Sequence, residues 1–147
     1  MCGFVGILHL NQDNPEKFQT EVKEMNGLIQ HRGPDSEGYY RNEAVDFGFR
    51  RLSILDLKFG SQPMSYLDER YWIIFNGEIY NEDVYRAELE ADGVEFKTTT
   101  DTEVILAMYH KYKEKTPELL RGMFAFMIWD TQEETLFGAR DHFGICL

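Results

Sequence analysis

The sequence predicts an α+β domain with helices packed on antiparallel sheets. Three observations carry this. Strand-like segments dominate the first half, helical segments sit between sets of strands, and the chain shows none of the strand–helix–strand rhythm of a parallel sheet. At 147 residues the chain has the size of one domain and can bury a real core. Apolar residues make up 43% of it, an ordinary globular share, and the 14% that are aromatic suit well-filled sheet interiors.

Residues 1–10 read as a buried strand, with Phe4, Val5, Ile7 and Leu8 apolar and Gly3 and Gly6 small enough for a close approach. Asn14 followed by Pro15 suits a helix start, and Phe18, Val22, Met25 and Ile29 recur at near-helical spacing, which predicts a helix over 15–30. Residues 31–38 are rich in turn formers and predict a loop. Strands are expected at 39–41, 45–49 and 52–55, then a turn at 60–63. The apolar stretch 71–75 predicts a strand running into Asn76-Gly77, a pair favoured in tight hairpin turns. Asn81 suits the cap of a second helix carrying Val84 and Leu89 and ending near Gly93. Thr100 and Glu103 have capping-box spacing ahead of Val104, Ile105, Met108 and Tyr112, a third helix. Segments 123–129 and 135–139 predict a two-stranded hairpin.

The 15 basic and 26 acidic residues leave a net charge of −11, which repels phosphate backbones and argues against nucleic acid as a partner. Two cysteines, Cys2 and Cys146, are too few for a disulfide framework and wrongly spaced for zinc. The apolar start lacks a basic leader and is too short to span a bilayer. A soluble, reducing, cytoplasmic setting is expected, and no membrane partner.

Cys2 is the sharpest chemical feature. A small residue at position 2 allows removal of the initiator Met, which places a thiol and a free α-amine on one residue. An α-amine titrates at roughly 7.7–8.0 and a thiol at about 8.5, so the amine can take the thiol proton near neutrality. Such a nucleophile needs no separate base. None of His9, His31, His110 and His142 has an obvious partner by spacing. The structural alternative for Cys2 is a small buried hydrophobe.

Acyl transfer also needs donors for a tetrahedral oxyanion. Asn76 offers a side-chain amide and Gly77 an unencumbered backbone N–H; a type I′ turn is the alternative for this pair. A free amino acid needs opposite charges for its two ends. Arg51 can clamp a carboxylate bidentately, and Glu78 and Asp101 can hold an ammonium. Each has a plainer alternative: a solvated strand charge for Arg51, a water-facing side chain for Glu78, and a favourable helix-start charge for Asp101.

These residues stand in blocks. Met-Cys-Gly-Phe-Val-Gly at 1–6, His-Arg-Gly-Pro-Asp-Ser at 31–36, Arg-Leu-Ser-Ile-Leu-Asp at 51–56 and Phe-Asn-Gly-Glu-Ile-Tyr-Asn at 75–81 come first. Thr-Asp-Thr-Glu-Val-Ile-Leu at 100–106, Gly-Met-Phe-Ala-Phe at 122–126 and Ala-Arg-Asp-His-Phe-Gly-Ile at 139–145 follow in order. Across the whole chain the sequence resembles the class II, N-terminal-nucleophile (Ntn) glutamine amidotransferases, and among them the asparagine synthetases. The resemblance implies a four-layer αββα sandwich of two antiparallel sheets. It also implies that Cys2 attacks the glutamine side-chain amide, that a glutamyl thioester forms, and that water releases glutamate while ammonia passes to a second site. By the same resemblance Asn76 and Gly77 form the oxyanion hole. Arg51 clamps the glutamine carboxylate, Leu52, Ser53, Ile54 and Leu55 line the pocket through their backbone, and Glu78 and Asp101 meet the ammonium. The loop at 31–38 resembles one that closes over glutamine.

The family pattern continues after Gly-Ile with Lys-Pro-Leu and further strands, whereas this sequence reads Gly144-Ile145-Cys146-Leu147. The expectation is an incomplete amidotransferase domain over 1–147, without the synthetase domain that in the family binds ATP, magnesium and aspartate. No metal or cofactor is expected within 1–147 itself. The expected partners are L-glutamine and that synthetase domain; the family often forms dimers, so a homodimer is a further candidate. Two alternatives stay open: the glutaminase half of another asparagine-synthetase-like amidotransferase, or an inactive truncated remnant.

Overall fold

The computed structural model describes residues 2–10, 15–52 and 60–146, with the backbone alone for 15–18. Its elements in chain order are β1 (Gly3–Leu8), α1 (Pro15–Leu28), β2 (Ser36–Arg41), β3 (Val45–Arg51), β4 (Met64–Tyr66), β5 (Tyr71–Ile79), α2 (Glu82–Ala91), α3 (Asp101–Tyr112), α4 (Thr116–Leu119), β6 (Gly122–Asp130) and β7 (Thr135–Arg140). The strands form two antiparallel sheets, one ordered β1-β3-β2 and the other β4-β5-β6-β7.

Alternation along the strands decides what fills each layer. Val45, Phe47 and Phe49 of β3 meet Ile74 of β5 and Trp129 of β6, with Cys2, Phe4, Tyr40 and Trp72 packed around them; this is the core between the sheets. Tyr40 and Trp72 stack at 4.0 Å between centroids and tie the two sheets together. The odd-numbered residues of β5, Tyr71, Ile73, Phe75 and Ile79, turn to the other face, where Val104 to Tyr109 of α3 and Leu89 of α2 cover them. On the far side of the first sheet, α1 lies on β1 and β3, with Val22 and Asn26 against Gly48. The result is the expected αββα sandwich.

Several local expectations are corrected. Residues 36–38 are not loop: Ser36, Glu37 and Gly38 pair with Arg51, Arg50 and Phe49, so sheet hydrogen bonds override turn-forming side chains. Asn76-Gly77 is not a turn, because β5 runs straight through it, opposite Ala125 and Phe124 of β6. Strand β1 is only half buried, since it is a sheet edge. Leu89 is buried as expected, but Val84 is 60% exposed. Asn81 sits at the start of α2 without capping it; its side chain instead accepts from the Arg121 N–H and donates to the Leu119 carbonyl. Thr100 does cap α3 by accepting from the Glu103 N–H, but Glu103 reaches back past it to the N–H groups of Lys97 and Thr98, at 3.0 and 2.7 Å. Leu52 leaves the strand after β3, and the rest of the expected strand at 52–55 lies outside the described residues. Strand β4 and the short α4 have too little periodicity to be read from sequence.

Candidate active site

The strand register places the N-terminal thiol. Gly3 is opposite Arg50 in the β1–β3 pair, so the next step of the register sets Cys2 against Arg51. The sulfur lies at the backbone of the following residue: the Leu52 N–H donates to Cys2 Sγ at 3.4 Å, and the thiol donates to the Leu52 carbonyl at 3.7 Å. On its other side the Cys2 carbonyl accepts from Arg32 Nε at 3.2 Å. Cys2 is half-buried and free, so it is neither fully enclosed nor tied up in a disulfide. Arg51 is buried rather than a solvated strand charge. By alternation it continues the row Val45, Phe47, Phe49 toward the layer between the sheets.

Asn76 reaches the same layer from the opposite sheet. It follows Trp72 and Ile74 on the inward face of β5 and is 1% exposed. Gly77 next to it has φ +145°, and a Cβ there would come within 2.0 Å of the Met123 carbonyl oxygen, so only glycine lets β6 pass this close. Glu78 is exposed.

Asp101 opens α3 and reaches across to the same strand, where its Oδ2 accepts from the Ile79 N–H at 3.1 Å. Its carboxyl is pushed up to about 6, first by burial and then by the charges of Glu82 and Glu78, against the opposing N–H bonds from Ile79 and Thr102. The segment leading to it is fixed. Arg86 donates to the Thr98 and Thr100 carbonyls at 3.1 and 2.9 Å, and Glu103, 4% exposed, holds Lys97 and Thr98.

Thus Cys2 and Leu52 are in direct contact, Arg51 adjoins them by register, and Asp101 joins the segment carrying Asn76, Gly77 and Glu78. Ser53, Ile54 and Leu55 lie outside the described residues. Of the expected closing loop, the structure shows a 3₁₀ turn at Gln30–Arg32 and the opening of β2. Arg32 was missed as a Cys2 partner; its place in the His-Arg-Gly-Pro block was the available signal. Two histidines do have partners, which spacing could not show: His9 pairs with Asp46 at 2.7 Å and His110 with the Tyr71 hydroxyl at 3.1 Å. Each joins neighbouring elements of the sandwich: His9 follows β1 and meets β3, and His110 of α3 meets β5. A cavity of about 400 Å³ opens between Phe4 and strands β6 and β7, and its lining is apolar apart from Arg140. Among the described residues no cluster of His, Cys, Asp and Glu could hold a metal, and no helix is long and apolar enough to cross a membrane.

A sandwich of two antiparallel sheets between helices is a fold of the Ntn-hydrolase type, and here a thiol stands at the head of an edge strand. The solved structure of glutamine phosphoribosylpyrophosphate amidotransferase from Bacillus subtilis shares this fold, with a TM-score of 0.58 at 23% identity over 69% of this chain and 24% of that one. The chain belongs to the glutamine amidotransferase domain family, whose model matches residues 1–146. It is 58% identical over 146 residues to asparagine synthetase [glutamine-hydrolyzing] 1 of Bacillus subtilis, covering 99% of this chain and 23% of that protein. It is 38% identical over 148 residues to asparagine synthetase B [glutamine-hydrolyzing] of Escherichia coli, covering 99% of this chain and 26% of that protein. The chain therefore spans about a quarter of the length of these relatives.

Proposed function

We propose that this chain hydrolyses the side-chain amide of L-glutamine, with Cys2 as nucleophile, and that the ammonia released serves the amidation of aspartate in a synthetase domain. The observation that carries the reading is the meeting of Cys2 with the end of β3. The thiol is held by the Leu52 backbone, and the strand register sets the buried Arg51 beside it.

In this reading the initiator Met is removed and the α-amine of Cys2 takes the thiol proton. The sulfur attacks the amide carbon, and Asn76 and the Gly77 N–H stabilise the oxyanion that forms. The proton passes to the leaving nitrogen, ammonia departs, and a glutamyl thioester remains. Water then attacks the thioester, returns a proton to sulfur, and frees glutamate. Arg51 pairs with the substrate carboxylate, the 52–55 backbone lines the pocket, and Glu78 and Asp101 meet the ammonium. Arg32 steadies the Cys2 backbone. The chain itself needs no cofactor for these steps; ATP and magnesium belong to the synthetase reaction, and the setting is cytoplasmic. The test is glutaminase activity with Cys2→Ala as control, read together with the intact mass. Activity that survives Cys2→Ala would refute the reading.

A further inference from the structure

Strand β4 pairs with β5 only as far as Ile73, which faces Met64. Beyond that point the same edge of β5 has no strand beside it in the described sheet. Gln62, two residues ahead of β4, lays its side chain along this edge. Its Oε1 accepts from the Phe75 N–H at 2.6 Å, and its Nε2 donates to the Phe75 carbonyl at 3.1 Å. A primary amide carries a donor and an acceptor side by side, like a peptide group, so the ladder is continued for one residue by a side chain.

The N–H groups of alternate strand residues point to the same edge. Phe75 is plugged by Gln62, and Ile79 on the same edge is plugged by Asp101 Oδ2 at 3.1 Å. Gly77 lies midway, so its N–H faces outward between two side-chain plugs instead of into a neighbouring strand. Gln62 is itself fixed against the other sheet. Its carbonyl oxygen sits where a Cβ on Gly38 of β2 would come within 2.0 Å, so the two backbones are in close contact. The side chain that grips β5 is therefore anchored to the sheet that carries Cys2.

We propose that Gln62 is a positioning residue for the oxyanion hole: it ends the β4–β5 ladder one residue short of Asn76 and holds that edge of β5 so that the Gly77 N–H is presented to the substrate. This rests on the role proposed above for Gly77. A shift of a few tenths of an ångström in Phe75 carries directly to Asn76 and Gly77, and oxyanion donors are effective only where their geometry is fixed in advance.

The test compares the native full chain with Gln62→Met, which keeps the length and loses both hydrogen bonds, and Gln62→Glu, which keeps an acceptor for the Phe75 N–H. Four quantities are read: kcat and KM for glutamine, affinity for glutamate, affinity for the γ-semialdehyde of glutamate, and the melting midpoint. With the thiol proton held by the Cys2 α-amine, the sulfur adds to the aldehyde carbon and gives a tetrahedral hemithioacetal alkoxide, whereas glutamate tests only amino-acid binding. The expected result for Gln62→Met is a kcat about 10- to 100-fold lower, with aldehyde affinity falling in parallel and KM and glutamate affinity within about twofold. Gln62→Glu should fall between Met and native. Unchanged kcat in Gln62→Met overturns the proposal, as does a joint loss of glutamate affinity, aldehyde affinity and thermal midpoint, which marks a merely structural residue. A native chain that cannot hydrolyse glutamine overturns the function itself and this role with it; an active native chain indifferent to Gln62 overturns this role alone.

Discussion

Gly77→Ala tests the site through a single added methyl group. At Gly77 the new Cβ would stand 2.0 Å from the Met123 carbonyl oxygen and 2.7 Å from the Phe124 Cα, and φ is +145°. Ordinary contact begins near 3.4 Å, so β6 must retreat by about 1.4 Å or β5 must twist. A retreat of that size lengthens the ladder bonds around Asn76–Ala125 and Glu78–Met123 past hydrogen-bonding range. Each hydrogen-bonded antiparallel pair exchanges two bonds, so about four are lost, at about 1 kcal/mol each. Forcing a non-glycine residue into this backbone region adds about 1–3 kcal/mol. The sum, about 5–7 kcal/mol, lowers the melting midpoint of a domain this size by roughly 20 °C. Because the same movement displaces two proposed oxyanion donors, kcat for glutamine hydrolysis should fall by about 100-fold or more in the protein that remains folded. Calorimetry and a glutamate-release assay well below the midpoint separate the two effects. A variant that melts within a degree or two of the native chain and turns over within threefold of it would show that the close approach of β6 at this position is not what shapes the site.

Two pH-dependent outcomes follow from the carboxylates. Asp101 titrates near 6 and must be charged to attract the substrate ammonium, so KM for glutamine should rise about tenfold between pH 7 and pH 5 with little change in the amino-acid carboxylate clamp; Asp101→Asn should have a high KM at both values, and steady-state kinetics across this range checks it. Asp141 is held down to about 2, first by the Ile145 N–H, with Cys146, Phe124 and Phe143 adding further donors against a cost of burial. A depressed carboxylate stabilises the fold above its unfolded value of about 4 and loses that contribution as pH falls toward 2. Acid titration followed by the fluorescence of Trp129, which lies in β6 beside β7, should therefore show a transition in that window that Asp141→Asn lacks, and Asp141→Asn should melt earlier at neutral pH. An acid profile identical in both proteins would remove Asp141 from the account.

The amino-acid sequence by itself determined the α+β class, the helices α1, α2 and α3 and most strands, because periodicity, caps and turn residues act over a few positions. It also determined the chemistry on offer: a thiol at position 2, an amide and a glycine at 76 and 77, and charges at 51, 78 and 101. Only the tertiary structure decided that Asn76-Gly77 is strand and not turn, since that depends on β6 arriving opposite it. It alone decided that Arg51 is buried, that Arg32 holds the Cys2 carbonyl and that Gln62 stands in for a strand beside Phe75. Those contacts join residues 13 to 49 positions apart, or depend on which face of a sheet is covered. Such partners are chosen by packing and register, and no local pattern records them.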